Sequence, residues 1–342
     1  MAEGVNPRSY TLIRSRLDAF ALGAYQAGAL KYLAEIGLSP HIIAGTSMGA
    51  LNGAVLASNY PFPQAVKYLD QLWTELGEAS IINPNINLAK SLVSYALQTT
   101  LPNFSEWILG FLRQTTFFDD EFCIFNPKPI EDFLYQAVDP VNLRNGIELW
   151  IAAFPSLNIP GIDYDLLMAL FDLFRARTGT KADWLCLQDC QHNDQIYSML
   201  LASAAIPLAF PKREVNGQHY VDGALADNVP LGALAERGCT HAIVIHLENG
   251  AAWDRNDFPD QTILEIRPEE QIHKSNIPLI GDMMAVLDFS PSRIAELKCQ
   301  GYADAKRCLE SLIQSLTVIG KQRKSINQLI HSTQSLLDDP PL

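Results

Sequence analysis

Short apolar runs and three- to four-residue apolar spacings alternate along the first sixty positions of the chain. Thr11–Arg16 and His41–Ala44 are runs that predict strands, and Gly23–Ile36 between them carries helical spacing. The second run passes through Gly45-Thr46-Ser47-Met48-Gly49 into an apolar helix from Met48 to about Ser58. Strand, sharp turn and helix in that order predict the opening unit of a parallel α/β sheet. From 37 to 66 no Asp, Glu, Lys or Arg occurs. Glycines and prolines interrupt the stretch, so it predicts a buried strand and a buried helix and not a membrane span.

Further along, residues 62–136 are mostly helical by pattern, with Leu88, Leu92, Tyr95 and Ala96, then Trp107, Ile108, Phe111 and Leu112, at helical spacings. Strands return at Glu148–Phe154 and Ala182–Leu187. Between them Leu157–Lys181 carries Leu166, Leu167, Leu170, Phe171 and Phe174 on one helical face, which predicts an inserted helix. Two roles fit that face: packing into the core, or an apolar cover or lipid-contacting surface beside a site. Ile196–Ala204 and Leu231–Arg237 read as helices, Gly217–Val221 as a strand edge and His241–His246 as a buried strand. After Ser290 the pattern is helical. No repeat or low-complexity linker divides the chain, so we expect one α/β domain, with its core over about 10–310. Helical insertions are expected at about 62–136 and 157–181, and a helical tail at about 291–335.

Composition narrows the function. The chain has 342 residues, 48% of them hydrophobic and 18% charged, a globular composition and not a disordered one. Lys plus Arg number 25 against 38 Asp plus Glu, a net charge of −13. That excludes nucleic acid as the main partner and long-range attraction to an anionic bilayer, so any membrane contact has to be apolar or local. The tail is locally basic, with Arg293, Lys298, Lys306, Arg307, Lys321, Arg323 and Lys324 against Glu296, Asp304 and Glu310. A solvated helical face accounts for it. Six scattered cysteines read as reduced thiols of a cytoplasmic protein, and no secretory signal is expected at the N-terminus. Cys186-x3-Cys190-x-His192 has no second ligand pair at zinc-site spacing, so we expect neither a metal nor another cofactor.

The chemistry concentrates at Gly45-Thr46-Ser47-Met48-Gly49. In a G-x-S-x-G elbow the glycines permit a tight strand-to-helix turn, which holds the serine hydroxyl clear and aims the next N–H at a reacting carbonyl. The helix N-terminus beneath favours negative charge developing there. A serine needs a base, and His192, His219, His241, His246, His273 and His331 show no triad pattern. Asp222 is the alternative: Val221-Asp222-Gly223 puts a carboxylate at a strand end before a glycine that permits close approach. Partial burial can raise a carboxylate's proton affinity enough for it to act as a base. An ordinary Asp-Gly turn is the competing reading.

Together with the elbow, Leu201-Ala202-Ser203-Ala204-Ala205-Ile206-Pro207 with Phe210-Pro211, and Val221-Asp222-Gly223-Ala224 followed by Asn228-Val229-Pro230, resemble the bacterial patatin-like phospholipases. Gly23-Ala24-Tyr25-Gln26-Ala27-Gly28 and Gly238-Cys239-Thr240-His241-Ala242-Ile243-Val244 fit as well, and the resemblance runs from about 10 to about 310. It implies a three-layer α/β fold with a mostly parallel central sheet and a Ser47–Asp222 dyad. It also implies hydrolysis of acyl lipids without a cofactor, and peripheral contact with membranes. The motif glycines are then Gly45, Gly49 and Gly223, and the oxyanion hole falls to Met48 with Ala19 and Phe20. One block departs: Asp18, Ala19 and Phe20 stand where the family's loop has three glycines, and Leu22 where it has a basic residue. A catalytically impaired protein that binds lipid or a partner, or an acyltransferase using the same dyad, are the alternatives.

Overall fold

The computed structural model describes residues 9–13, 21–78, 127–157, 165–207, 210–247, 254–270, 272 and 289–338. The first strand, β1 (Ser9–Ile13), leads to α1 (Gly23–Glu35), and then β2 (Ile42–Thr46) to α2 (Met48–Ser58). Every residue of β2 and α2 is buried, which is why this stretch carries no charge. The next helix, α3 (Phe62–Glu78), buries Phe62, Ala65, Val66, Leu69, Leu72, Trp73 and Leu76, one stripe at three- and four-residue steps. The helices expected around Leu88–Leu112 lie outside the described residues.

The chain resumes with α4 (Lys128–Ala137) and α5 (Pro140–Asn145), whose first turn is capped by Asp139 accepting from Val141 N and Asn142 N. There follow β3 (Glu148–Ser156), α6 (Asp165–Arg177), β4 (Asp183–Cys186), α7 (Asn193–Ser203), β5 (Arg213–Val215) and β6 (Gln218–Asp222). The last elements are α8 (Leu231–Glu236), β7 (His241–Ile245), β8 (Thr262–Ile266) and α9 (Pro291–Asp338), a helix of 48 residues.

The strands form a single sheet in the order β5-β6-β3-β2-β1-β7-β8, with β4 also paired to β3. The run β3-β2-β1-β7-β8 is parallel. The pairings of β3 with β4 and β6, and of β5 with β6, are antiparallel. The sheet is therefore mixed and not strictly parallel. The β5–β6 pairing has a local cause: Asn216 (φ 53°) and Gly217 (φ 82°) are both left-handed, the two-residue hairpin turn that folds β6 back on β5. Alternate residues of the strands feed two cores. Ile43, Ile243 and Ile245 face α1, α2 and α3, whereas Ile42, Ala44, Ala242 and Val244 pack with Leu231 and Leu234 of α8, giving helix, sheet and helix layers.

Along one outer side, α1 and α9 cross at backbone contact. A Cβ on Gly28 would lie 2.0 Å from Lys298 O, and one on Gly301 1.9 Å from Tyr25 O. The Tyr25 hydroxyl donates to Asp304 of α9 at 3.2 Å. Among the described residues no helix is long and apolar enough to cross a membrane.

Candidate active site

Ser47 sits in the one-residue gap between β2 and α2 with φ 55° and ψ −124°, a conformation L-residues rarely adopt. Gly45 makes the turn possible, because a Cβ there would lie 2.5 Å from the backbone C and O of Gly49. The ladder of α2 opens with Ala50 N–H donating to Ser47 O at 2.8 Å. The Met48 and Gly49 amides thus precede the first helical donor and belong to the helix end that favours negative charge.

Asp222 ends β6, fully buried, and its register partner on β3 is Ala153, one residue beyond the partner of Thr46, Ala152. Strands β2, β3 and β6 therefore deliver Ser47 and Asp222 to the same edge of the sheet. Two contacts with the Ala152 carbonyl lock this arrangement. Ser203, at the end of α7, donates to Ala152 O at 2.7 Å and accepts the Ser47 N–H at 3.0 Å. Gly223 packs so close that a Cβ would lie 2.3 Å from Ala152 O. Asp222 N donates to Ala205 O at 2.9 Å, which fixes the aspartate from the same α7 end. The strap after Asp222 is held in turn: Asp227 accepts from Trp184 Nε1 at 2.7 Å and Val229 N at 3.0 Å, and its carbonyl accepts from Thr46 Oγ1 at 3.0 Å.

Oδ1 of Asp222 accepts from Ala224 N at 2.8 Å. Oδ2 of Asp222 and Oγ of Ser47 are both buried and have no hydrogen-bond partner among the described residues. Burial pushes the Asp222 carboxyl from 3.8 up to about 7, against the opposing pull of the Ser47 hydroxyl and the Ala224 N–H. The hydroxyl thus lowers the carboxyl against burial although no aligned hydrogen bond joins the two.

The family model for patatin-like phospholipases matches residues 19–235. The chain belongs to the patatin-like phospholipase family. The match takes in both Ser47 and Asp222 and ends inside α8, so α9 lies beyond it. Two solved structures resemble this patatin-like chain. VipD from Legionella pneumophila is 13% identical over 89% of this chain and 67% of its own, with a TM-score of 0.41. The structure of the heterodimeric ExoU–SpcU complex from the type III secretion system of Pseudomonas aeruginosa matches at 14% identity, with a TM-score of 0.32. That match covers 98% of this chain and 64% of the other. The chain thus spans about two thirds of the length of each neighbour. No curated protein sequence matches it.

Of the residues singled out in the patatin-like motifs, Ser47, Met48, Gly45, Gly49, Asp222 and Gly223 come together at one sheet edge. Asp18, Ala19 and Phe20 lie outside the described residues. Ser203 is an addition, since sequence reading gave it no role beyond membership of a motif block. So is Asn52, which donates to Gly23 O at 3.1 Å and Gln26 Oε1 at 2.8 Å while accepting from Trp73 Nε1 at 3.0 Å. It fastens the start of α1 to α2 five residues after Ser47. His246 is fully buried against Glu265, with Nε2 to Oε2 at 2.9 Å, and His241 Nδ1 meets Thr240 Oγ1 at 2.9 Å. Cys190 turns its Sγ to Met199 Sδ at 3.3 Å, and among the described residues no group of three or more His, Cys, Asp or Glu could hold a metal ion.

Proposed function

We propose that this patatin-like chain is a lipid acyl hydrolase working through a Ser47–Asp222 dyad, the whole chain forming one catalytic domain with helical insertions. The observation that carries the reading is the pair of buried atoms, Ser47 Oγ and Asp222 Oδ2, delivered to one sheet edge without a hydrogen-bond partner among the described residues, with a carboxyl held near pH 7. Ser47 Oγ attacks the acyl carbonyl as its proton passes to Asp222. The negative charge on the tetrahedral oxygen falls at the N-terminus of α2, where the Met48 N–H is a donor. Collapse expels the alcohol, which takes the proton from Asp222 and leaves an acyl-serine. Asp222 then draws a proton from water, the hydroxide attacks the ester, and Asp222 returns that proton to Ser47 Oγ as the fatty acid leaves. A carboxyl near 7 suits both halves of the cycle, since it accepts a proton and returns it with little free-energy cost in either direction.

Covalent labelling by a fluorophosphonate, abolished by Ser47→Ala, together with release of fatty acid from a phospholipid, is the expected result. A wild type that labels but turns over extremely slowly would favour the impaired reading, for which the departures at Asp18, Ala19 and Phe20 speak. A wild type that does not label at all would overturn the dyad. Ester formation with added alcohol in preference to hydrolysis would make it an acyltransferase.

A further inference from the structure

The helix α6 turns described polar side chains inward and described aromatic ones outward; the side chains of Leu166, Leu167 and Leu170 lie outside the described residues. Its inward side carries Met168, Asp172 and Arg175, spaced by four and three residues. Asp172 is buried and accepts from Ser156 Oγ and from Arg175 Nη1, which also donates to Pro155 O at 2.8 Å. The Arg175 guanidinium lies 5.5 Å from the centre of the Phe154 ring. With this polar side against the end of β3, the aromatic side faces out: Phe171 is 49% exposed and Phe174 62%. Amphipathic helices of water-soluble surfaces bury their apolar stripe and solvate the polar one. The hydrogen bonds to Ser156 and Pro155 hold the polar side down, and the two outward phenylalanines are left as an aromatic patch of the kind that marks a contact surface.

Position supplies the occupant. Thr46, next to Ser47, is in register with Ala152, and β3 continues past that level to Ser156, where α6 is pinned. The three steps from Ala153, the partner of Asp222, to Ser156 are about 10 Å. The aromatic side therefore stands at the rim of the edge that holds Ser47 and Asp222. Exposed Arg177 and Lys181 follow it directly, in a chain whose net charge is −13, and the nearby Asp183 is engaged by the Tyr220 hydroxyl. Aromatic side chains flanked by cations match the interface of an anionic bilayer.

We infer that α6 is the membrane-docking element, with Phe171 and Phe174 entering the acyl boundary of a bilayer and Arg177 and Lys181 meeting its headgroup phosphates. This rests on the lipid-hydrolase reading, since it names where that site takes up its substrate. The full chain carrying Ser47→Ala, which cannot consume the vesicles, is the protein to measure by flotation with phosphatidylcholine vesicles with and without phosphatidylglycerol. Replacing Phe171 and Phe174 together by Ser should cut partitioning by about tenfold or more, as expected for withdrawing two half-exposed rings from the interface. Replacing Arg177 and Lys181 by Glu should weaken binding to the phosphatidylglycerol vesicles selectively. In the Ser47 background, the phenylalanine variant should hydrolyse a short soluble ester at the wild-type rate, which also reports that it is folded. Unchanged flotation of the phenylalanine variant, or no flotation of the parent, overturns the inference, and in the latter case Phe171 and Phe174 serve a protein contact. Phenylalanine-dependent flotation of a protein that hydrolyses no ester would uphold the docking surface and reject the hydrolase.

Discussion

Asp222→Asn should leave the protein inactive and, above neutrality, more stable. The Asp222 carboxyl is fully buried and burial raises it from 3.8 to about 7, so the folded state holds its proton more tightly than the unfolded chain does. The sign follows from linkage: the associated stability is fully present below about pH 4 and is lost as pH rises through about 7. The distance from 3.8 to about 7, at 1.36 kcal/mol per decade, makes the whole loss about 4 kcal/mol. About half of it, about 2 kcal/mol, falls between pH 5.5 and 8.5. Asparagine is nearly isosteric, can still accept the Ala224 N–H and cannot ionise, so the substitution removes this dependence and little else. Urea unfolding of wild type and variant at the two pH values isolates the effect, because every other titrating group cancels in the difference. The variant's advantage should grow by about 2 kcal/mol from the lower pH to the higher. An advantage independent of pH would mean that Asp222 titrates like an exposed carboxylate, and the proton-transfer argument would fall with it.

The same ionisation should shape catalysis: kcat/KM on a soluble p-nitrophenyl ester rises with pH through about 7 and then levels off, and a profile flat from pH 5 to 8 would contradict it. Ser203→Ala strands the Ser47 N–H and should cost about 1–3 kcal/mol in urea unfolding while lowering kcat more than it changes KM. Ser47→Ala, by removing a buried hydroxyl that has no hydrogen-bond partner among the described residues, should raise unfolding stability by about 1 kcal/mol or more as it abolishes hydrolysis. Replacing Asp18, Ala19 and Phe20 by Gly, with the buried Leu22 left in place, should raise kcat with modest change in KM. An unchanged kcat in that folded variant would show that the native loop already supplies its donors.

The elbow was legible because its geometry is enforced within five residues, where Gly45 must pass Gly49 and Ser47 must take a left-handed φ. Helix α2 and strand β2 were legible from their lack of charge. Ser203 was not, since the contact it makes spans 156 residues and depends on α7 ending beside β3. The hairpin that pairs β5 with β6 was written in Asn216-Gly217, yet the strand before it, β5, is only three residues long and shows no alternation to find. Edge strand β8 was missed for a related reason, as its residues are only partly covered and its pattern is broken by Glu265. For α6 periodicity identified the apolar face, but which face docks depends on Asp172 meeting Ser156 and Arg175 meeting Pro155. No local pattern encodes those meetings.

The crossing of α1 and α9 has a mechanical consequence. A 48-residue helix is about 72 Å long, whereas the α1 segment it crosses is about 20 Å. With Gly28 and Gly301 at the crossing, backbone bears on backbone, and no side chain lies between to yield or slide. The start of the long helix is also fastened around the crossing, by Lys298 to Asp70 at 2.7 Å and by Tyr302 to Glu35 at 2.6 Å, so its base is clamped and not hinged. The first residue of α1, Gly23, is tied by Asn52 to the helix that begins immediately after Ser47. A load on the far end of α9 would therefore reach α1 first, and the Asn52 tie is what joins α1 to the helix that follows Ser47.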